Sequence, residues 1–384
     1  MIYLVFPNYD SNTAGSIRFL AFARAFKKMD VDCKIVLLRP RFSFERMKQS
    51  SDLPQVLHLW SESGVCRNSF FNRLKYLFFY LSSFSHVDKF ARKLTEKDIV
   101  YLYNGMDYLR FFLKSKCKVF HERTEHPDVF RASSINYFNK KYLQLLHKVD
   151  GLIVISTALK DYFTEIGIQT KRIFILNMVV DVSRFSEISK SREKERYIAY
   201  CGTATNNKDG VDDLIRSFAL VAERISDVKL YIIGNAPENE MTGNAKLVAD
   251  LNVQDRVVFT GKKKSSEIPQ LLKDAEVLVL ARPDNLQAKY GFPTKLGEYL
   301  MTANPVVVTK TSDIPLFLED RVSALLAEPG NCVEISNKII WALNNNVEAI
   351  EIGKRGKQIA MTSFNSEKEA EKLFRIMSSS HSNN

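Results

Sequence analysis

The chain repeats one pattern from its first residues onward: a short apolar run, a polar turn, then a longer stretch with apolar residues every three or four positions. Ile2 to Phe6 is the first run, and Phe19, Leu20, Ala23 and Phe26 mark a helical spacing over residues 16–28. Further runs fall at Ile35 to Leu38, Ile99 to Tyr103, Val119 to Phe120, Leu152 to Ile155 and Ile173 to Leu176. They continue at Ile198 to Cys201, Leu230 to Ile233, Val257 to Phe259, Val277 to Leu280 and Val306 to Val308. Strands that are apolar on both faces, alternating with amphipathic helices, predict parallel sheets covered by helices on both sides. The fold class is therefore α/β.

The pattern stops once. Residues 181–196, DVSRFSEISKSREKER, are charged and present no apolar face. They read as a linker between two halves of similar size, an amino-terminal domain over 1–180 and a carboxyl-terminal domain over 197–364. Residues 365–384 follow as a helix and a frayed tail, SSSHSNN. In sheets of this kind ligands bind beyond the carboxyl ends of the strands, and two stretches of the second half are built for that place. After Ile198 to Cys201 comes GTATNNKDGVDDLIRSF, in which Gly202 ends the strand and Lys208 precedes a helix start. A glycine turn and a cation before free helix N–H groups suit a phosphate, although a plain turn with a solvated lysine has the same sequence. After Val277 to Leu280 come Ala281-Arg282-Pro283 and a polar loop to Gly291, and Phe292-Pro293-Thr294 then starts a second helix. Glu298 lies one turn on, beside Thr294 and Lys295, where its two oxygens can accept from neighbouring ribose hydroxyls.

The run GFPTKLGEYLMTANPVVVT resembles the carboxyl-terminal signature of retaining glycosyltransferases of family 4, which have the GT-B fold. The likeness continues through Gly15 after the first strand, VFH ending at His121, VIS at 154–156 and ILNMVVDVSRF at 175–185. GTATNNKDGVDDLI and LYIIGNAPE complete the ordered set. The resemblance implies two Rossmann-like domains whose parallel sheets face each other across a central cleft. It implies transfer of a sugar from a nucleoside-diphosphate sugar to a hydroxyl acceptor with the anomeric configuration kept. Carried over residue by residue, Glu298 holds the donor ribose, Lys208 neutralises the diphosphate, and Gly15 and the helix start at Thr294 assist. His121 sits beside the donor sugar. Gly202, Thr203, Arg282, Tyr290, Gly291, Phe292, Pro293, Thr294 and Lys295 complete the nucleotide-sugar set. Two positions depart from the family pattern. Tyr290 stands where its first glutamate is expected, and Thr203 stands where an arginine is common, so that Arg282 is the substitute cation. A GT-B-like nucleotide-sugar-binding protein without turnover is the alternative these departures keep open. Glu122, Glu125 and His126, in the polar loop FHERTEHPDVF, are candidate acceptor or donor-sugar contacts.

Composition narrows the classes. The 384 residues carry a net charge of +11, with 45% hydrophobic and 26% charged residues, as in a globular protein of about two domains. The five cysteines, Cys33, Cys66, Cys117, Cys201 and Cys332, are scattered and never spaced C-x-x-C, which argues for a reduced, cytoplasmic protein without a zinc site. No acidic pair ends a strand, so no metal or other cofactor is expected. Dispersed basic residues without a recognisable module exclude a nucleic-acid partner. The expected partners are a nucleotide sugar and a saccharide or lipid-linked acceptor, in surface polysaccharide biosynthesis. In the segment 68–93, ten large apolar side chains fall between Phe70 and Phe84, with Arg73, Lys75 and Lys89 interspersed along the segment and Arg67 just before it. Two readings of this segment stand: a helix buried against the sheet, or a helix in peripheral contact with the anionic inner face of the cell membrane.

Overall fold

The computed structural model describes residues 1–10, 13–40, 46–60, 69–131, 136–191 and 195–379. Cys66, Arg67, residues 192–194 of the expected linker and the terminal residues 380–384 lie outside that description, as does the Phe70 side chain. The chain divides into two compact units, Met1–Asn177 with Ser366–Asn384, and Met178–Asn365.

The first unit holds seven parallel strands: β1 (Ile2–Phe6), β2 (Cys33–Leu37), β3 (Gln55–His58), β4 (Ile99–Tyr103), β5 (Lys118–Arg123), β6 (Gly151–Val154) and β7 (Ile173–Ile175). Their order is β3-β2-β1-β4-β5-β6-β7. Every residue of β4 and β6 is buried, as continuous apolar runs in a doubly covered sheet require. β3 escapes the hydrophobic pattern because it is an edge strand whose residues are all at least partly exposed. The first helix, Ala14–Lys28, starts at Thr13, whose side chain accepts from the Ser16 N–H, and it buries Phe19, Phe22 and Phe26 completely. Gly15 thus lies in the first turn of this helix.

The second unit holds six parallel strands: β8 (Tyr197–Cys201), β9 (Lys229–Ile233), β10 (Val257–Gly261), β11 (Val277–Leu280), β12 (Val306–Thr309) and β13 (Leu325–Ala327). Their order is β10-β9-β8-β11-β12-β13, so the direction of winding reverses between β8 and β11. A crevice forms at such a reversal because the connections leave the two strands toward opposite faces. β13 is three residues long, too short for its periodicity to register in the sequence. Each unit is Rossmann-like, as the GT-B fold requires.

The carboxyl-terminal helix Ser366–Ser379 is part of the first unit. Phe374 meets Phe26 edge-on at 6.1 Å, Lys28 pairs with Glu367 at 2.7 Å, and the Asn177 N–H donates to Glu369 at 2.8 Å. Leu373 is fully buried. We expect Leu373→Ala to lower the stability of this unit by about 2–5 kcal/mol, the usual cost of emptying a buried leucine site. Urea unfolding followed by tryptophan fluorescence measures the change.

Candidate functional site

The site of the second unit is assembled where β8 and β11 end. Past Cys201, Gly202 lies under the Lys295 side chain: a Cβ there would stand 1.8 Å from Lys295 Cε. Any other residue would displace the lysine, which explains the glycine. The Lys295 ammonium donates to Asp209 at 2.6 Å, and the Tyr200 hydroxyl lies 2.7 Å from the same oxygen. Burial alone would raise the Asp209 carboxyl, but the Lys295 ammonium and these hydrogen bonds hold it below the usual carboxylate range. Asp209 is 2% exposed and Lys295 19%, so removing Lys295 strands a buried carboxylate at a cost of up to about 3–5 kcal/mol.

Asp209 ends the short helix Asn206–Asp209, which also carries Lys208, and the chain then turns through Gly210 at φ +64°. A Cβ on Gly210 would stand 1.8 Å from the Ala281 carbonyl oxygen, so glycine brings this loop against the end of β11. Arg282 closes the seam from the other side. It is 2% exposed, and its Nε donates to the Lys208 carbonyl at 3.3 Å. The Thr309 hydroxyl at the end of β12 donates to the Arg282 carbonyl at 2.8 Å. The sequence motifs around Gly202, Lys208 and Arg282 therefore meet at the reversal point.

The helix Thr294–Met301 starts beside them. Its N-cap is Pro293, which contributes no side-chain hydrogen bond, so no cap occupies the first-turn N–H groups of Thr294 and Lys295. Gly291, Phe292 and Pro293 are buried, and Phe292 packs on Phe317 and Phe364. Their part is to set the angle of the helix. Tyr299 fixes it to β8, accepting from the Cys201 N–H at 2.6 Å. Tyr290 is half-buried beneath the Lys289 ammonium, 5.4 Å from its ring centroid, and Thr203 is exposed. Glu298 is paired with Arg184, which also donates to the Ser265 carbonyl at 2.9 Å. Both side chains are about one-fifth exposed, so the pair can be reached from solvent. Burial and the Glu298 carboxylate together push the Cys201 thiol up to about 12, which leaves it unreactive.

Arg184 was missed by sequence reasoning because it stands in DVSRF, a stretch without periodicity. Tyr200, Asp209 and Tyr299 were missed because their roles rest on pairing across elements. Cysteine and histidine chemistry gives nothing further: among the described residues no group of three His, Cys, Asp or Glu is placed to hold a metal ion.

His121, Glu122, Glu125, His126 and Gly15 belong to the first unit. His121 is fully buried, with Nδ1 3.1 Å from the Leu102 carbonyl and Nε2 2.8 Å from the Tyr142 hydroxyl. Both ring nitrogens are engaged, so a contact from His121 to a sugar needs Tyr142 to move aside. Glu122 is also fully buried and accepts from Arg18 Nε at 2.7 Å. Burial raises its carboxyl against the opposing pull of Arg18. It has no exposure through which to act as a nucleophile. His126 is 5% exposed, accepts from the Asp128 N–H at 3.2 Å and lies 4.2 Å from the Tyr162 ring. Glu125 is half-buried. Gly15 faces Tyr103, whose hydroxyl a Cβ would approach to 3.2 Å.

Comparison with known proteins agrees with the second unit. Residues 195–345 match the family described as glycosyl transferases group 1. Over this region the chain is similar to the group 1 glycosyltransferases. Among curated proteins, the N-acetyl-alpha-D-glucosaminyl L-malate synthase of Bacillus anthracis is 27% identical over 158 residues, 41% of this chain and 39% of that protein. The poly(ribitol-phosphate) alpha-N-acetylglucosaminyltransferase of Staphylococcus aureus is 23% identical over 67% of this chain and 49% of its own length. The chain thus spans under half of each of these two relatives. Among solved structures, the Anabaena protein HepE in complex with UDP superposes with a TM-score of 0.76 at 15% identity, covering 99% of this chain and all of that one.

His121 makes a pH prediction. Burial, aided by the Arg123 charge, lowers it from 6.5 to about 3, so the folded state keeps it neutral where the unfolded chain binds a proton. Its contribution is absent above about pH 6.5 and turns destabilising as pH falls from there toward 3, by at most about 1.4 kcal/mol per pH unit. Urea unfolding across that range is expected to show a steeper acid loss for the wild type than for His121→Gln.

Proposed function

We propose that the protein is a retaining glycosyltransferase that moves a sugar from a nucleoside-diphosphate sugar to a hydroxyl of a saccharide or lipid-linked acceptor in surface polysaccharide biosynthesis. The observation that carries this reading is the placement of Gly202, Lys208, Lys295, Arg282 and Glu298 around the reversal between β8 and β11. The family match over 195–345 supports it, as does the polymer-directed transferase among the relatives. The fold shared with a protein solved bound to UDP favours a uridine nucleotide.

In this reading the first-turn N–H groups of Thr294–Met301 and the ammonium of Lys208 receive the diphosphate. Arg282 adds positive potential from within the seam. Glu298 accepts from the ribose hydroxyls with the oxygen that Arg184 leaves open. The departing phosphate takes the acceptor's proton as the acceptor attacks from the same face, and developing negative charge on the leaving group is met by groups already in place. No metal ion or cofactor takes part, because these cations and dipoles supply the charge. The chain works in the cytoplasm on this account.

One experiment tests the reading. UDP binding by calorimetry and product formation by NMR are followed for the wild type, Glu298→Gln and Lys208→Ala, with and without EDTA. Glu298→Gln is expected to weaken UDP binding by roughly 1.5–3 kcal/mol, the worth of a charge-assisted hydrogen bond. Lys208→Ala is expected to reduce transfer by about a hundredfold or more. Transfer survives EDTA, and the product keeps the donor's anomeric configuration. Nucleotide-sugar binding without transfer to any acceptor would favour a binding protein, and an inverted product would overturn the retaining assignment.

A further inference from the structure

The helix Ser69–Ala91 of the first unit is apolar on two sides, and only one of them is used by the fold. Its inner side runs through Phe79, Ser83, Val87 and Ala91, all buried. The Ser83 hydroxyl meets the Tyr108 hydroxyl at 2.7 Å, and the Arg39 guanidinium lies 4.5 Å from the Tyr80 ring centroid. These contacts fix which face meets the unit. The outer side carries Phe71 at 58% exposure, Leu74 at 50%, Leu77 at 51%, Phe78 at 67% and Leu81 at 58%. Their spacing of three and four residues makes one continuous stripe. Large apolar side chains grouped in this way mark a contact surface, whereas scattered ones need no explanation.

Charge identifies the surface. Lys75 follows Phe71 by four residues and precedes Phe78 by three, which places it along one edge of the stripe. Arg73 precedes Leu77 by four residues and lies along the other. The helix has no acidic residue before Asp88, and that one is paired with Arg92 at 2.8 Å. The wider unit agrees. It has 31 Lys and Arg against 19 Asp and Glu, net +12, while the second unit has 24 against 25, net −1. The whole basic excess of the chain therefore belongs to the unit that bears this helix. No described helix is long and apolar enough to cross a membrane, and Arg73 and Lys75 sit within this one.

We propose that the helix Ser69–Ala91 lies in the plane of an anionic phospholipid bilayer, with Phe71, Leu74, Leu77, Phe78 and Leu81 inserted at the headgroup–acyl boundary and Arg73 and Lys75 on lipid phosphates. Apolar insertion flanked by cations is the balance such interfacial helices use. A second copy fits poorly, because two of these faces would bring basic edges together with no acid between them. A nucleic acid would account for the cations and leave five exposed apolar side chains without a partner. The proposal stands apart from the transferase reading, since it concerns the other unit and needs no nucleotide.

The test is sedimentation of the full chain with vesicles of phosphatidylcholine alone or with added phosphatidylglycerol, at low and high salt. The chain is expected to bind the anionic vesicles, to leave the neutral ones in solution, and to lose binding as salt rises. Leu74→Glu with Phe78→Glu is expected to abolish binding, and Arg73→Ala with Lys75→Ala to weaken it by roughly thirtyfold. All four side chains lie outside the inner face, so circular dichroism and the thermal midpoint should match the wild type, and UDP binding should be unchanged. Equal partition into neutral and anionic vesicles overturns the proposal. So does absence of binding to either. A dimer in sedimentation velocity that the Glu substitutions dissolve would assign the face to a second copy.

Discussion

Lys295 lying across Gly202 to reach Asp209 is the contact on which the second unit's site depends. It joins three pieces of chain that are far apart in sequence: the end of β8, the short helix before Gly210, and the first turn of Thr294–Met301. Asp209 is 2% exposed and Lys295 19%, so the carboxylate is cut off from water and the pair's geometry is costly to disturb. Tyr200 and Tyr299 brace it from β8 and from the helix, through hydroxyls whose partners are a carboxylate and a backbone N–H. Given that anchor, the loop with Lys208 and the end of β11 with Arg282 have one way to meet, and Glu298 is carried one turn further along the same helix.

Much of this was legible in the sequence for a physical reason. Strands buried on both faces must be apolar throughout, so β1, β4, β6, β8, β11 and β12 announce themselves. Glycine is required where backbones approach closely, so Gly202 and Gly210 mark the turns that the site uses. The rest was hidden for equally physical reasons. β3 is a half-exposed edge and β13 is three residues long, and neither produces a pattern. The pairing of Arg184 with Glu298 joins residues 114 positions apart, and the pairing of Asp209 with Lys295 joins residues 86 apart, distances that no local signal reports.

His121 and Glu122 show how much of a residue's setting its type leaves unsaid. Both stand on β5, and both are fully buried, one held by Leu102 and Tyr142 and the other by Arg18. A strand-end histidine and glutamate look like active-site residues in sequence. Here both His121 ring nitrogens and one Glu122 oxygen are engaged within the fold, and Arg18 also donates to the Leu176 carbonyl. The aromatic helix Ser69–Ala91 teaches the converse. Its sequence fits a core helix or a surface helix equally, and only the exposure of one face separates the two.

The central claim is that the carboxyl ends of β8 and β11 receive the nucleotide diphosphate. Hydrogen–deuterium exchange of the full chain with and without UDP tests it most directly, because binding slows exchange where backbone N–H groups are engaged or closed off. The account predicts protection confined to residues 202–210 and 282–298. Protection elsewhere, with those two segments unchanged at saturating UDP, would contradict it.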